Sequence, residues 1–237
     1  MKKITAFFIV TFTMFFINAS IPAQAASHLF LDHVEKKTPT DPLYIALLFY
    51  RMTGHELDFA SWAQDNNAYL DAPDEEKEKI LNTQKDKLQS IFYDINPDEQ
   101  IVVELNTTIS GLDKAKIGFY ISSFRPELFF NFTYLSNNYA VVPLGVEKYK
   151  WFLPTKAELK HIKAAGAIIS QETPVDIQFI MTPKSADGRA PATFGKTQHW
   201  LLSAQIEEIQ VWTKDGKILW QIERTTTQDK LMDLYKK

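Results

Sequence analysis

The sequence predicts an α+β fold, in which an N-terminal helical region packs on a mainly antiparallel sheet of about five to seven strands. Apolar residues recur at helical spacing before position 96 and alternate with polar residues after it, and an Asp-Gly pair near the end marks a β-hairpin. One helix is inserted among the strands. We therefore divide the chain into residues 1–25, 26–96 and 97–237, and we expect the last two parts to form one compact unit.

Residues 1–25 have the three parts of a secretory signal: a charged start, the apolar run 4–17, and small residues around Ala25. We expect cleavage between Ala25 and Ala26, and a bacterial protein that is periplasmic or secreted. The run of 14 residues is shorter than the roughly 20 that span a bilayer, so a retained anchor is the alternative. No later stretch of the sequence reads as a transmembrane segment.

The helical region begins with a segment from Thr40 to Gly54 that has the end signals of a helix. Thr40 or Asp41 can cap its start, and Gly54 suits a left-handed stop. Its residues are apolar nearly all round, so we expect a buried helix at the centre of this half. A longer helix follows Asp71, with one apolar stripe, and Asn96-Pro97 ends it.

Strand periodicity then takes over, with one interruption. The Thr155 to Glu158 capping-box pattern opens the inserted helix, which stops at Gly166. The segment from Pro183 to Gln198, with its prolines and glycines, is predicted to be the longest loop without regular structure. The clearest alternating strands are 101–105, 128–134 and 175–181.

The last long element, Trp200 to Glu223, is predicted to be a hairpin that turns at Asp215-Gly216 in a type I′ turn. The apolar positions change from even to odd along the first strand, so we expect one extra residue, a β-bulge, near Glu207-Glu208. The two-residue turn gives five opposed pairs: Thr213/Ile218, Trp212/Leu219, Val211/Trp220, Gln210/Gln221 and Ile209/Ile222.

Composition excludes several functional classes. The chain has no cysteine and a net charge of −3, which rules out disulfides and gives no basic patch for nucleic acid. Its eight glycines form no phosphate-binding loop or dinucleotide fingerprint. The five histidines lack the spacing of a zinc site, and His161 is expected at the surface. We predict no cofactor, no metal ligand and no catalytic residue.

Four residues are candidates for a binding surface. Arg125 lies beside aromatic residues and could present a cation to a carboxylate or a sugar, although the same aromatics suit a sheet core. His199 lies where the predicted loop enters the hairpin. Trp212 and Leu219 point away from the face of Val211, so they form a partner site if nothing covers them.

Three segments resemble an uncharacterised family of exported bacterial proteins, a domain of unknown function. They are 101–105, 118–121, and Trp151-Phe152-Leu153-Pro154 with the helix that follows. The resemblance covers residues 96–223, and it implies neither an activity nor any site residue.

Two functional hypotheses follow. The first is a non-enzymatic envelope protein that binds a small ligand or an envelope protein through the sheet face or the predicted loop. It rests on the signal, the abundant aromatics and the lack of a catalytic motif. The alternative is a hydrolase or metal-dependent enzyme whose site is assembled from residues distant in sequence, such as His199 with a carboxylate.

Overall fold

The computed structural model describes residues 34–113, 118–166 and 170–224. The predicted cleavage site at Ala25 and Ala26 lies outside these residues. The helices are α1 Pro42–Thr53, α2 Phe59–Gln64, α3 Asn67–Leu70, α4 Asp74–Asp94 and α5 Lys156–Ala164. The strands are β1 Ile101–Ile109, β2 Phe119–Tyr120, β3 Phe130–Tyr134, β4 Asn137–Leu144, β5 Trp151–Phe152, β6 Thr173–Phe194, β7 Thr197–Thr213 and β8 Ile218–Glu223.

Six of the strands form one sheet in the order β1-β6-β7-β4-β3, with β8 also paired to β7. Strands β4 and β8 share one side of β7: β4 runs parallel to residues 200–205, and β8 runs antiparallel to residues 208–212. The remaining pairs in this sheet are antiparallel. The predicted α+β class is confirmed, and the parallel β4/β7 pair makes the sheet mixed. Strands β2 and β5 form a separate small sheet.

Helix α1 packs on one end of the sheet face that we call the core face, the face of Phe179 and Leu202. Residues 45–49 of α1 are essentially inaccessible, as the sequence predicts. The ring of Phe49 lies 5.6 Å from that of Tyr139 on β4 and 5.4 Å from that of Trp200 on β7. Aromatic contacts therefore join the helical region to the two central strands.

The other end of the core face is covered by the small sheet and by α5. Trp220 on β8 stacks on Phe152 at 4.5 Å and on Phe119 at 5.6 Å, so it fixes β2 and β5 against the main sheet. Helix α5 begins with the predicted capping box. His161 on α5 is half-buried, and its Nε2 lies 2.9 Å from the carbonyl oxygen of Ile218. The expectation of a surface histidine is therefore wrong, because α5 packs against β8.

The C-terminal hairpin has most of the predicted register but a different turn. The Val211/Trp220, Gln210/Gln221 and Ile209/Ile222 pairs are confirmed, whereas Trp212 pairs with Ile218. Gly216 has φ 82°, and Asp215 has no positive φ, so the turn is not type I′. Three loop residues are closed by a Thr213 N–H bond to the Lys217 carbonyl at 2.8 Å. Leu219 then bulges and restores the predicted register.

The predicted bulge in the first strand of the hairpin is confirmed. Ile180 pairs with Glu208 and Met181 pairs with Ile206, so Glu207 is the extra residue. Arg224 holds it in place: its N–H donates to the Glu207 carbonyl at 2.8 Å, and its guanidinium lies 3.2 Å from the carboxylate. The bulge keeps the apolar side chains before and after it on the core face.

The sequence predicts a loop from Pro183 to Gln198, and this prediction is wrong. The segment is the distal half of the β6/β7 hairpin. Its two strands turn at Gly195, and Phe194 pairs with Thr197. The register shifts twice, once near Pro183 and once where residues 188–191 bulge opposite Trp200. Proline is tolerated here because, in the described residues, this half of β6 has no second strand partner that would need its N–H.

The sheet face opposite the core face, which we call the polar face, is covered in part by residues 36–40, the strap. The side chain of Gln178 is fully buried on this face. Its Oε1 accepts the Lys37 N–H at 2.9 Å, and its Nε2 donates to the Lys37 carbonyl at 2.6 Å. At the edge of β1, Thr40 N–H donates to the Val102 carbonyl at 2.8 Å. The strap thus shields an edge strand.

Lysines surround a half-buried carboxylate on the polar face. Burial raises the pKa of Asp176, but the hydrogen bond from Lys214 and the charge of Lys36, 3.4 Å away, outweigh it. The pKa of Asp176 therefore lies below its ordinary value of 3.8. Because the folded-state pKa is lowered, this carboxylate stabilises the fold above its ordinary pKa, and that stabilisation is lost as the pH falls through the folded-state pKa.

Replacing Asp176 by asparagine should flatten the acid limb of the stability curve. We expect the variant to be less stable than the wild type at pH 7 and to approach it only as the pH falls through the folded-state pKa of Asp176, below 3.8, where the wild-type carboxylate also loses its charge. Urea unfolding midpoints at pH 7, 4 and 3 measure this difference. Asp86→Asn, at an exposed position of α4, is the control. A constant difference between Asp176→Asn and the wild type at all three pH values would contradict the assignment.

Candidate functional site

An open cleft lies where the end of α1, the start of α2 and the end of α4 meet. Its volume is about 390 Å³, within the range of roughly 300–1,000 Å³ that small-molecule sites occupy. The lining combines aromatic side chains with charged ones. It consists of Tyr50, Arg51, Gly54, His55, Glu56, Leu57, Phe59, Phe92 and Tyr93.

Local sequence signals build the floor of this cleft. Gly54, at φ 68°, ends α1, and its N–H donates to the Tyr50 carbonyl at 3.0 Å. Four residues later Asp58 caps α2, accepting the N–H of Ala60 at 3.0 Å and that of Ser61 at 3.1 Å. The two caps leave a short connection over 54–58, so its side chains lie against the end of α4.

Three aromatic rings form one wall. The ring centroid of Phe92 lies 5.5 Å from that of Phe59 and 5.5 Å from that of Tyr93, with near-perpendicular planes. Phe59 and Tyr93 are 6.3 Å apart. Tyr93 is 63% exposed, so the outer ring of the wall faces solvent.

Charged groups stand beside the aromatic wall. The guanidinium carbon of Arg51 lies 5.6 Å from the centroid of Phe92, a cation–π arrangement. Arg51 is also in the last turn of α1, where a cation interacts favourably with the helix dipole. Within the described ranges neither Arg51 nor Glu56 forms an ion pair. Both charges therefore remain available to a ligand.

The bulge of β6 supports the cleft from behind. A Cβ atom placed on Gly188 would lie 2.7 Å from Cε1 of His55 and 3.0 Å from Cβ of Thr53, so only glycine allows this approach. Arg189, next in the bulge, is already bound to Asp187 by two hydrogen bonds from its guanidinium, at 3.0 and 2.8 Å. These bonds hold the pKa of Asp187 at about 2.

Replacing Gly188 by alanine should displace His55 while the fold persists. The imidazole is the far end of an exposed side chain and can rotate away, so we expect a loss of about 1–2 kcal/mol in unfolding free energy. The ring resonances of His55 should shift in a ¹H–¹³C correlation spectrum. Ala190→Ser, at an exposed position of the same bulge, should leave them in place. Unchanged His55 resonances in the alanine variant would contradict the close approach.

The structure separates the binding candidates that the sequence suggests. Arg125 is exposed, and its Nε donates to the Ser122 carbonyl at 3.0 Å. Trp212 and Leu219 are 4% and 0% exposed, so the hairpin has no open patch at these positions. Among the described residues, no hydrogen bond, ion pair or ring contact joins Arg125, His199 and Trp212.

His199 lies in β7, paired with Ala192, and is 5% exposed. Its ring is 5.5 Å from that of Phe129 and 5.4 Å from that of Phe194, and these two phenylalanines stack at 4.4 Å. Its Nδ1 has no hydrogen-bond partner among the described residues. His199 is therefore a buried part of an aromatic group near the end of the β6/β7 hairpin, away from bulk solvent.

The cleft residues are not among those that the sequence singles out. The sequence marks Gly54 as a helix stop, and His55 is one of the five histidines whose spacing does not suit a zinc site. Phe92 falls on the predicted apolar stripe of α4, and nothing local shows that this end of α4 meets the end of α1. Nor does the local sequence show that Arg51 and Glu56, which form no ion pair among the described residues, line the same cleft.

The described part of the chain contains no group of three His, Asp or Glu side chains placed to hold a metal ion. None of its helices combines the length and the apolar character needed to cross a bilayer. In comparisons with known proteins, no family model, no curated protein and no solved structure matches the chain.

Proposed function

We propose that the chain is an exported envelope protein that binds a small ligand in the cleft between α1, α2 and α4 and does not transform it. The observation that carries this proposal is the aromatic wall, in which three rings meet at an open cleft and the outermost ring is 63% exposed. Aromatic side chains with a few polar groups are the usual lining of small-molecule sites.

The same rings would also suit a purely structural contact between helix ends. Two features favour binding. A structural cluster is more stable when all its rings are buried, whereas Tyr93 turns its ring to solvent. The cleft is also lined by Arg51 and Glu56, two charges that pair with no described residue and that packing does not need.

Replacing Tyr93 by alanine should weaken ligand binding and leave the fold almost unchanged. A protein-observed NMR screen of small aromatic compounds should find binders that shift the Phe92 and Tyr93 resonances. Tyr93→Ala should raise their dissociation constants about 3- to 10-fold, the factor expected for one aromatic contact. Leu70→Ala, which also removes an exposed apolar side chain (59% exposed), lies outside the cleft and should have no effect. If no compound in the screen shifts the cleft resonances, the proposal is wrong.

Export rests on the signal-like residues 1–25 and is tested separately. When residues 1–237 are expressed in a bacterium with an outer membrane, the protein should be recovered from the periplasmic fraction. N-terminal sequencing should show Ala26 as its first residue. Ala25→Phe should block processing, because signal cleavage requires small residues at this site. Recovery of the uncleaved chain from the cytosol would overturn this part of the proposal.

A further inference from the structure

We infer that the ligand is a zwitterion with an aromatic group, the chemistry of an aromatic amino acid; this rests on the proposed function of the cleft. The inference combines three features of the lining: the aromatic wall, a guanidinium and a carboxylate, and neither of these two groups forms an ion pair with a described residue. Each feature recognises a different part of such a molecule.

The aromatic wall selects a planar apolar group. A ligand ring beside Tyr93 would extend the series of edge-to-face contacts that already joins Phe59, Phe92 and Tyr93. The volume of about 390 Å³ is at the small end of the range for ligand sites, which favours a ligand with a single ring.

Arg51 is placed to bind the carboxylate. Its guanidinium is positioned by the face of Phe92, 5.6 Å away, and no acceptor in the described residues uses its N–H groups. A planar guanidinium with free donors binds a carboxylate through two parallel hydrogen bonds. The cation–π contact reduces the freedom of the side chain before the ligand arrives.

Glu56 is placed to bind the ammonium group. Because Gly54 turns the chain at φ 68°, Glu56 lines the same cleft as Arg51 although it lies five positions later in the sequence. An ionised carboxylate only accepts hydrogen bonds, and an ammonium group only donates them. With one charge of each sign, the lining favours a neutral zwitterion over an anion or a cation. His55, between them, adds ring nitrogens that can donate or accept.

Four matched compounds test this inference: L-phenylalanine, N-acetyl-L-phenylalanine, L-phenylalaninamide and N-acetyl-L-phenylalaninamide. All four share the ring. In the order given, they carry both charges, the negative charge only, the positive charge only, and no charge. Dissociation constants from NMR titration of the full-length protein should be lowest for L-phenylalanine. Because both charged contacts are exposed, each should contribute about two- to fivefold.

Two charge-removing variants complete the test. Arg51→Gln should weaken L-phenylalanine and its N-acetyl derivative but not the amide, and Glu56→Gln should weaken L-phenylalanine and the amide but not the N-acetyl derivative. Lys79→Gln and Glu78→Gln, at exposed positions of α4, are the matched controls and should change none of these constants.

The outcomes separate this inference from the proposed function. Equal affinity for all four compounds, or preference for a singly charged one, would overturn the zwitterion and leave the aromatic cleft as a binding site. Binding of other aromatic compounds but of none of these four would do the same. If neither these compounds nor the wider screen shifts the cleft resonances, both proposals fall.

Discussion

Replacing Trp220 by alanine is expected to lower the free energy of unfolding by about 3–5 kcal/mol, the usual cost of removing a large buried ring. The side chain is 1% exposed and lies parallel to the ring of Phe152, with 4° between the planes. It also stacks on Phe119. The variant would therefore lose the ring stack that packs the β2/β5 sheet against β8, and urea unfolding followed by circular dichroism measures the cost.

Trp220→Phe is the matched control. The indole Nε1 has no hydrogen-bond partner among the described residues, so the phenylalanine variant loses volume but no hydrogen bond. One ring remains to pack against Phe119 and Phe152, and we expect less than half of the loss seen with alanine. Similar losses in both variants would show that this region requires the complete indole and that a single ring in the stack does not support it.

Local signals were sufficient wherever an element is defined by its own ends or by its own face. Asp41 and Gly54 bound α1 as the sequence predicts, because caps act within one turn. The phase change along β7 correctly indicates the bulge at Glu207, since a strand must keep its apolar side chains on one face. The predicted turn type at Asp215 was wrong. A two-residue turn without a bulge and a three-residue turn with a bulge at Leu219 give the same strand register from Val211/Trp220 onward.

Elements that depend on distant partners were harder to predict. The prolines and glycines between Pro183 and Gln198 predict a loop, because such residues usually interrupt strands. In the structure this segment is a strand that pairs with β7. Among the described residues it has no second neighbouring strand, so its prolines remove no further ladder hydrogen bond. The sequence of the segment does not show how many neighbouring strands it will have.

The candidate site depends on the same kind of information. Arg51 and Phe92 are neighbours only because α4 returns to the end of α1. Each has an ordinary local interpretation, as a helix-end cation and as part of an apolar stripe. His199 drew attention in the sequence because it adjoined the predicted loop. In the structure that segment is a strand, and the histidine packs against two phenylalanines that stack on each other.

The strap over the polar face has the second large expected effect. Gln178 is fully buried, and its amide bonds both the N–H and the carbonyl of Lys37. Gln178→Ala leaves these groups without their partners and empties the space of the side chain, so we expect a loss of about 2–4 kcal/mol. The amide of Lys37 should also exchange with solvent faster, because the variant lacks the acceptor that protects it.

Gln221→Ala is the control that shows whether the stability cost comes from the contacts of Gln178 or from removing any glutamine from this sheet. Gln221 lies in the same row across the sheet, since Gln178 pairs with Gln210 and Gln210 with Gln221. It is half-buried, and among the described residues its amide bonds only Glu223, at 2.9 Å, so its loss should cost less than about 1 kcal/mol. Urea unfolding and hydrogen exchange of both variants decide the point. The alternative outcome is that both variants lose the same free energy of unfolding and that the Lys37 amide stays protected in Gln178→Ala. That result would mean that the strap is held by the ion pairs of Lys36 with Glu104 and Asp176 and not by the buried amide.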